Sequence, residues 1–356
     1  MRMPNHNILI KALRWILLPL SWLYGLVMLI RNRLYDHGWL ASYSPDCKTI
    51  CVGNLSVGGT GKSPLTLWLI ELLKHKHKVA VLSRGYGRKT HGFRWVEQSS
   101  SAHECGDEPL MIKHKHPDVS VAVCENRVEG AKRILEAAPE TDVMILDDAM
   151  QHRKIKCGMT LLVTPWYNLY PNDLMLPTGN LREPAAGARR ADIIVVSKCP
   201  ELIMDDGERA EAEKQRVCSL LGRGHDEVFM ATIQYGNPLD CNGKETTLPD
   251  KLVVATGIAN PQPLIEHLNN ANKELLTVIF PDHYRFSEKD LLLLQIKCEQ
   301  LGKDSVILTT EKDLERMREV KAFAAVKERI IVMPIKPYFT QLETLTSKIQ
   351  EYVRKN

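Results

Sequence analysis

From about Lys48 onward, short β-branched runs alternate with stretches whose apolar positions recur at helical spacing. The runs Thr49–Val52, Val79–Ser83, Val119–Val123, Val143–Asp147, Met159–Val163 and Ile193–Ser197 predict strands. Between them, patterns such as Pro64–Lys74 and Asn126–Glu136 predict helices. Alternation of this kind gives an α/β fold, a parallel sheet covered by helices. Asp205–Arg223 is a charged, helix-favouring stretch closed by Gly222-Arg223-Gly224. A second alternating series follows at Val228–Ile233, Leu252–Thr256, Leu275–Phe280, Ser305–Thr309 and Ile330–Met333. The expected organisation is an N-terminal helix over 1–40, a larger α/β domain over 41–225, and linker strands with a smaller α/β domain over 226–356.

The opening segment has a different pattern. Trp15 to Ile30 carries no charge and is flanked by Lys11 and Arg14 on one side and Arg31 and Arg33 on the other. Sixteen helical residues reach about 24 Å, short of a hydrocarbon core of roughly 30 Å. Beginning at Ile8 would lengthen the helix enough to span, with Lys11 and Arg14 snorkelling. Asn7, Lys11, Arg14, Ser21, Gly25 and Asn32 form one polar or small stripe, and the remaining circumference is apolar, with Trp15, Trp22 and Tyr24 as candidate anchors. That pattern favours a helix lying in a membrane interface over a span or a core helix. Basic Arg31 and Arg33 stand where a cleaved leader would need small residues.

Composition changes this picture little. The 356 residues are 44% hydrophobic and 25% charged, which excludes a disordered chain or a collagen-like fibre. A net charge of +4 from 47 basic and 43 acidic residues is too small to suggest a nucleic-acid partner. Nine cysteines without a Cys-x-x-Cys pair fit a reduced compartment and no zinc-finger cage.

The strongest chemical signal is Gly53-Asn-Leu-Ser-Val-Gly-Gly-Thr-Gly-Lys-Ser63, which follows a strand and opens a helix. This is the context of a phosphate-binding loop, with glycines allowing backbone N–H groups to approach phosphate oxygens. Ser56, Val57, Gly58, Gly59, Thr60 and Gly61 would line the nucleotide, Lys62 would reach its β- and γ-phosphates, and Ser63 would meet Mg²⁺. The general pattern asks for Gly at position 56, where this chain has Ser56. Even so, Gly58 and Gly59 beside Gly-Lys-Ser lower chance occurrence to about 0.001 in a chain this long. Asp147 and Asp148, at the carboxyl end of a predicted strand, are the candidate metal-side acids. Ser197-Lys198-Cys199-Pro200 lacks the Asp of a guanine-reading element, so ATP is favoured over GTP.

Four further clusters complete the candidate chemistry. Asp107, in Gly106-Asp-Glu-Pro109, is either a proton-accepting carboxylate or a helix cap. His283, in Asp282-His-Tyr284, is either a partner for such an acid or an ordinary surface residue. Arg84 and Arg88 sit in a glycine-rich loop suited to an anionic group or simply to solvent, and Arg182-Glu183 lies in a polar loop of the nucleotide half.

Taken together, these segments resemble the tetraacyldisaccharide 4′-kinase family of lipid A biosynthesis over nearly the whole chain. The resemblance rests on the apolar N-terminal helix, Gly53–Ser63, Ser83–Arg88, Gly106–Pro109, Asp147–His152, Leu181–Pro184, Asp282–Tyr284 and Thr309–Asp313. Ser56 is what that family usually carries. The resemblance implies a two-lobed α/β kinase at the cytoplasmic face of the inner membrane, attached peripherally or monotopically, with no obligate protein partner. It would phosphorylate the 4′-hydroxyl of an acylated glucosamine disaccharide 1-phosphate from ATP and Mg²⁺. It further implies Asp107 as base, His283 as the group that tunes it, and Asp147, Asp148 and Glu183 around metal and nucleotide. Lys62 would be catalytic, with Arg84, Arg88 and Arg182 near substrate phosphates. Ala149-Met150 departs from the family's usual Gly-Phe. A competing reading is a membrane-tethered P-loop ATPase switch, for which an acceptor-side Asp-His pair would have no use.

Overall fold

The structure is a computed structural model, and residues 14–355 are described. The chain forms two compact units, one comprising Met1–Arg84, Ala122–Ile233 and Pro337–Asn356, the other Gly85–Val121 and Gln234–Lys336. This differs from the expected division at about 225. The 85–121 segment belongs with the second unit, and the C-terminal helix Leu342–Arg354 returns to the first, where Tyr352 donates to the Thr49 carbonyl at 3.0 Å. Linear reading misses this because the chain leaves and re-enters each unit.

The first unit begins with helix α1, Leu18–Asp36. Its sheet contains β1 (Lys48–Gly53), β2 (Val79–Ser83), β3 (Val143–Asp147), β4 (Met159–Pro165), β5 (Ile193–Ser197) and β6 (Val228–Tyr235). They lie in the order β6-β5-β4-β1-β3-β2, all parallel. Both faces are covered, so residues such as Ile50, Val81, Ile145 and Leu161 are fully buried and the strands read as continuous apolar runs. The run near 230, expected as a linker, is instead a sheet strand: Ile194 of β5 pairs with Val228 of β6. The sheet order reverses around β1, which has β3 on one side and β4 on the other. Open α/β sheets bind ligands beyond the carboxyl ends of their strands at such a point. Helix α2, Lys62–Leu73, starts there.

The second unit contains β7 (Lys251–Thr256), β8 (Glu274–Ile279), β9 (Val306–Thr309) and β10 (Ile330–Val332). They form a parallel β8-β7-β9-β10 sheet, closed at one edge by the antiparallel strand Leu239–Asp240. Helices α3 (Asp107–Lys115) and α4 (Glu311–Arg318) belong to this unit. Its core is built from Val253, Ala255, Leu291, Leu294, Ile307 and Met317.

Among the described residues, no helix is long and apolar enough to cross a membrane. The Asn7 and Lys11 end of the predicted polar stripe lies outside the described residues. Of the rest of that stripe, Ser21 and Asn32 are buried, Gly25 is half-buried and Arg14 is exposed, while on the apolar side Leu20, Trp22, Leu23, Leu26 and Val27 are exposed.

Candidate active site

In the first unit, the loop between β1 and α2 turns on Gly61, whose φ of +94° suits a residue without Cβ. A side chain there would also come within 3.3 Å of Ser197. No side chain caps the start of α2 and no acid lies in its first turn, so the positive end of the helix is left to an anion. The loop is braced from several directions. Asn54 Nδ2 donates to Thr60 Oγ1 at 2.9 Å, Ser197 Oγ to the Thr60 carbonyl at 2.6 Å, and Lys198 Nζ to the Gly59 carbonyl at 2.6 Å. Ser197 and Lys198, read from sequence only as a failed guanine element, thus support the loop from the end of β5.

Asp147 and Asp148 end β3, beside β1 through the Val52–Asp147 register. Asp147 is buried and accepts from Ser83 Oγ at 3.2 Å and Thr66 Oγ1 at 3.4 Å. Asp148, at φ +47°, is gripped by both Arg182 terminal nitrogens at 2.8 and 3.1 Å, with Lys62 Nζ at 3.7 Å. Burial pushes its pKa up, but the Arg182 hydrogen bonds and the charges of Lys62, Arg182 and Arg127 outweigh this and bring it down to about 2. Arg127 was not singled out from the sequence, where it reads as part of a helix opening after Asn126. It is buried and donates to the Cys124 and Asp147 carbonyls at 2.9 and 3.1 Å. His152 is held down to about 4 by burial and by the charges of Arg127, Lys154, Arg31 and Arg84, and so stays neutral near pH 7.

Glu183 was expected beside Asp147 and Asp148 in a metal shell, and the structure places it otherwise. It is fully buried and accepts from Arg190 at 2.8 Å, Gln151 Nε2 at 2.8 Å and Asn32 Nδ2 at 2.9 Å. Among the described residues, no three His, Cys, Asp or Glu side chains gather into a group that could hold a metal. The donors present nevertheless suit Mg²⁺ of the nucleotide type. Such an ion takes one or two protein oxygens, and phosphate oxygens and water supply the rest. Ser63 at the start of α2 and the buried Asp147 carboxylate are of that kind. Arg182 does not stand free for a substrate phosphate, since Asp148 and the Asn54 side chain hold it.

The second unit assembles another centre from distant segments. Asp107 opens α3 after Gly106, which adopts φ +92° and where a Cβ would lie 2.9 Å from the Tyr86 carbonyl. The close approach of these two turns places the Tyr86 ring 5.3 Å from that of His283. His283, at φ +55°, is carried on a turn anchored by its own N–H to the Gly257 carbonyl at 3.1 Å and by packing of Phe280, Tyr284 and Phe286.

His283 Nδ1 lies 3.2 Å from Asp107 Oδ2, and Arg316 Nε lies 3.6 Å from the same oxygen. Asp107 Oδ1 accepts the Glu108 N–H at 2.9 Å, but the cap position of α3 is Gly106, so Asp107 opens the helix without capping it. Burial alone would raise the Asp107 pKa. The His283 hydrogen bond and the charges of Lys312, Arg316 and His283 win and lower it. Reciprocally, the bond to Asp107 raises His283 above its ordinary value, against the opposing effect of burial.

Arg316 escaped sequence reading, although it lies just past the Thr309–Asp313 motif. It is locked by Asp313 Oδ1 at 2.7 Å, and fully buried Asp313 accepts in turn from Thr256 and Thr310 at 2.7 Å each. Lys312 pairs with Glu108. The nearest signal was the periodicity of α4, which puts residues 312, 313 and 316 on one face. Arg88 donates to the Gly92 carbonyl at 2.6 Å in the second unit, whereas Arg84 is exposed in the first.

Comparison with known proteins agrees with this chemistry. Residues 13–354 match the family model of tetraacyldisaccharide-1-P 4′-kinase. The tetraacyldisaccharide 4′-kinase of Flavobacterium johnsoniae is 42% identical over 353 residues, covering 97% of this chain and 99% of its own. That of Flavobacterium psychrophilum is 40% identical over 350 residues, covering 97% and 98%. Among solved structures, the "apo" form LpxK from Aquifex aeolicus in complex with ATP matches with a TM-score of 0.75 at 29% identity, over 96% of this chain and 99% of that one.

Proposed function

The chain belongs to the tetraacyldisaccharide-1-P 4′-kinase family, and from that premise we propose that it transfers the γ-phosphate of ATP to the 4′-hydroxyl of an acylated glucosamine disaccharide 1-phosphate. The donor side is the phosphate loop of the first unit. Its backbone N–H groups and the start of α2 receive phosphate oxygens, and Lys62 offsets charge developing at the γ-phosphoryl group. Mg²⁺ held at Ser63 and Asp147 would neutralise charge on the bridging phosphate oxygens. Asp148 keeps Lys62 and Arg182 aligned.

The acceptor side is the Asp107 centre of the second unit. Asp107 takes the proton of the attacking hydroxyl. Its lowered pKa makes it a weak base, which suits a loose transition state in which the hydroxyl loses its proton late. His283 holds the carboxylate in place and ionised until then. The observation that carries the reading is this pair at 3.2 Å, a buried carboxylate beside an exposed imidazole. A nucleotide switch has no hydroxyl to deprotonate.

The outward apolar face of α1 supports peripheral seating on the inner membrane surface, where a lipid acceptor is found. Solubilised protein incubated with γ-labelled ATP, Mg²⁺ and the acylated disaccharide 1-phosphate tests the proposal. Label is expected in lipid. Label released only as free phosphate would favour the switch instead.

A further inference from the structure

The inward polar face of α1 has a use of its own. A helix that served only as an anchor would need no hydrogen bonds to the nucleotide site, yet α1 makes three sets of them to one strip, Thr178–Glu183, buried at Ser21 and Asn32 and part-buried at Tyr24. Ser21 Oγ donates to Thr178 Oγ1 at 2.8 Å and accepts the Thr178 N–H at 3.0 Å. Tyr24 Oη donates to the Arg182 carbonyl at 2.7 Å, and Asn32 Nδ2 to Glu183 Oε2 at 2.9 Å.

The other edge of this strip is paired with the phosphate loop. Val57 N–H donates to the Asn180 carbonyl at 2.8 Å and Arg182 N–H to the Leu55 carbonyl at 2.7 Å. Gln151 Nε2 joins the two layers, reaching Glu183 Oε1 at 2.8 Å and the Asn54 carbonyl at 2.6 Å. The strip is therefore clamped between helix and loop, and its Arg182 side chain fixes Asp148 opposite Lys62.

We propose that Tyr24 and Asn32 are positioning residues for nucleotide binding, acting through Arg182 and Glu183 rather than by touching nucleotide. Glu183 is the keystone of that clamp. The inference rests on the reading that the loop binds ATP. Its test is equilibrium binding of a fluorescent ATP analogue with Mg²⁺ to the full chain in detergent, with no lipid acceptor present. Tyr24→Phe and Asn32→Leu are each expected to weaken binding about fivefold, the order of one lost buried hydrogen bond damped through one intermediary. Both should float with anionic phospholipid vesicles as the unaltered chain does.

Trp22→Ser, on the exposed face, should do the reverse, reducing flotation at unchanged nucleotide affinity. Should Asn32→Leu fail to fold, Tyr24→Phe decides alone, since it removes a single hydroxyl. Affinity within twofold of the unaltered chain in Tyr24→Phe, whatever its melting temperature, would overturn the positioning role while leaving the kinase reading standing. No nucleotide binding by the unaltered chain would overturn both.

Discussion

Two carboxylates in this protein are held ionised against the pull of burial, one in each unit, and the groups that hold them differ in kind. Asp148 is held by a guanidinium and an ammonium group, those of Arg182 and Lys62. Asp107 is held in part by Arg316 and Lys312, but its closest partner is His283, an imidazole whose charge is conditional. The first arrangement makes a permanent electrostatic floor for phosphate. The second makes a base whose environment follows pH. The contrast separates a site that must always be charged from one that has to release and accept a proton in each cycle.

The largest expected effect comes from removing the fixed charge. Lys62→Ala should lower phosphoryl transfer about a thousandfold, measured as initial label incorporation into lipid, because a preorganised charge at the transferring group is lost. On the acceptor side, Arg316→Ala should destabilise the second unit by about 3 kcal/mol or more. It strands the fully buried Asp313 carboxylate without its cation, and denaturant unfolding would show this. His283→Ala should slow transfer about a hundredfold. It should also move the acidic limb of the rate profile to higher pH, because the hydrogen bond that most lowers the Asp107 pKa has gone. An unmoved limb would show that Arg316 and Lys312 suffice.

The smallest effect is on stability against pH, and its sign differs between the two units. Asp148 is depressed to about 2, so its contribution is complete above about pH 4 and fades as pH falls toward 2. His283 is raised, so its contribution is complete below about pH 6.5 and fades as pH climbs through the elevated value. Melting curves of Asp148→Asn and His283→Gln should flatten opposite ends of the profile.

The same contrast governs what could be read from the chain. The phosphate loop was legible because a glycine-rich turn between a strand and a helix is contiguous, and β2, β3 and β5 fall where their apolar runs predict. Asp107 and His283 were candidates from their local motifs, but only resemblance to a family joined them, since their partnership spans segments 176 residues apart. Arg316 and Arg127 were missed, because a buried arginine looks in sequence like any solvated helix residue until its partners are known. Glu183 was expected in a metal shell on the family resemblance alone, whereas Asn32 and Arg190, contributed by α1 and by a short turn, claim its oxygens. The polar stripe of α1 was recognised, but periodicity alone does not say whether such a stripe faces water or protein.

The division of labour between donor and acceptor sides is tested most directly by Asp107→Asn, which keeps shape and removes the base. Nucleotide affinity and label transfer into lipid would be measured on the same preparation. Nucleotide affinity within about twofold of the unaltered chain, with transfer lowered about a thousandfold, is the predicted result. Transfer at near-normal rate would contradict it and leave the phosphate loop without an identified base.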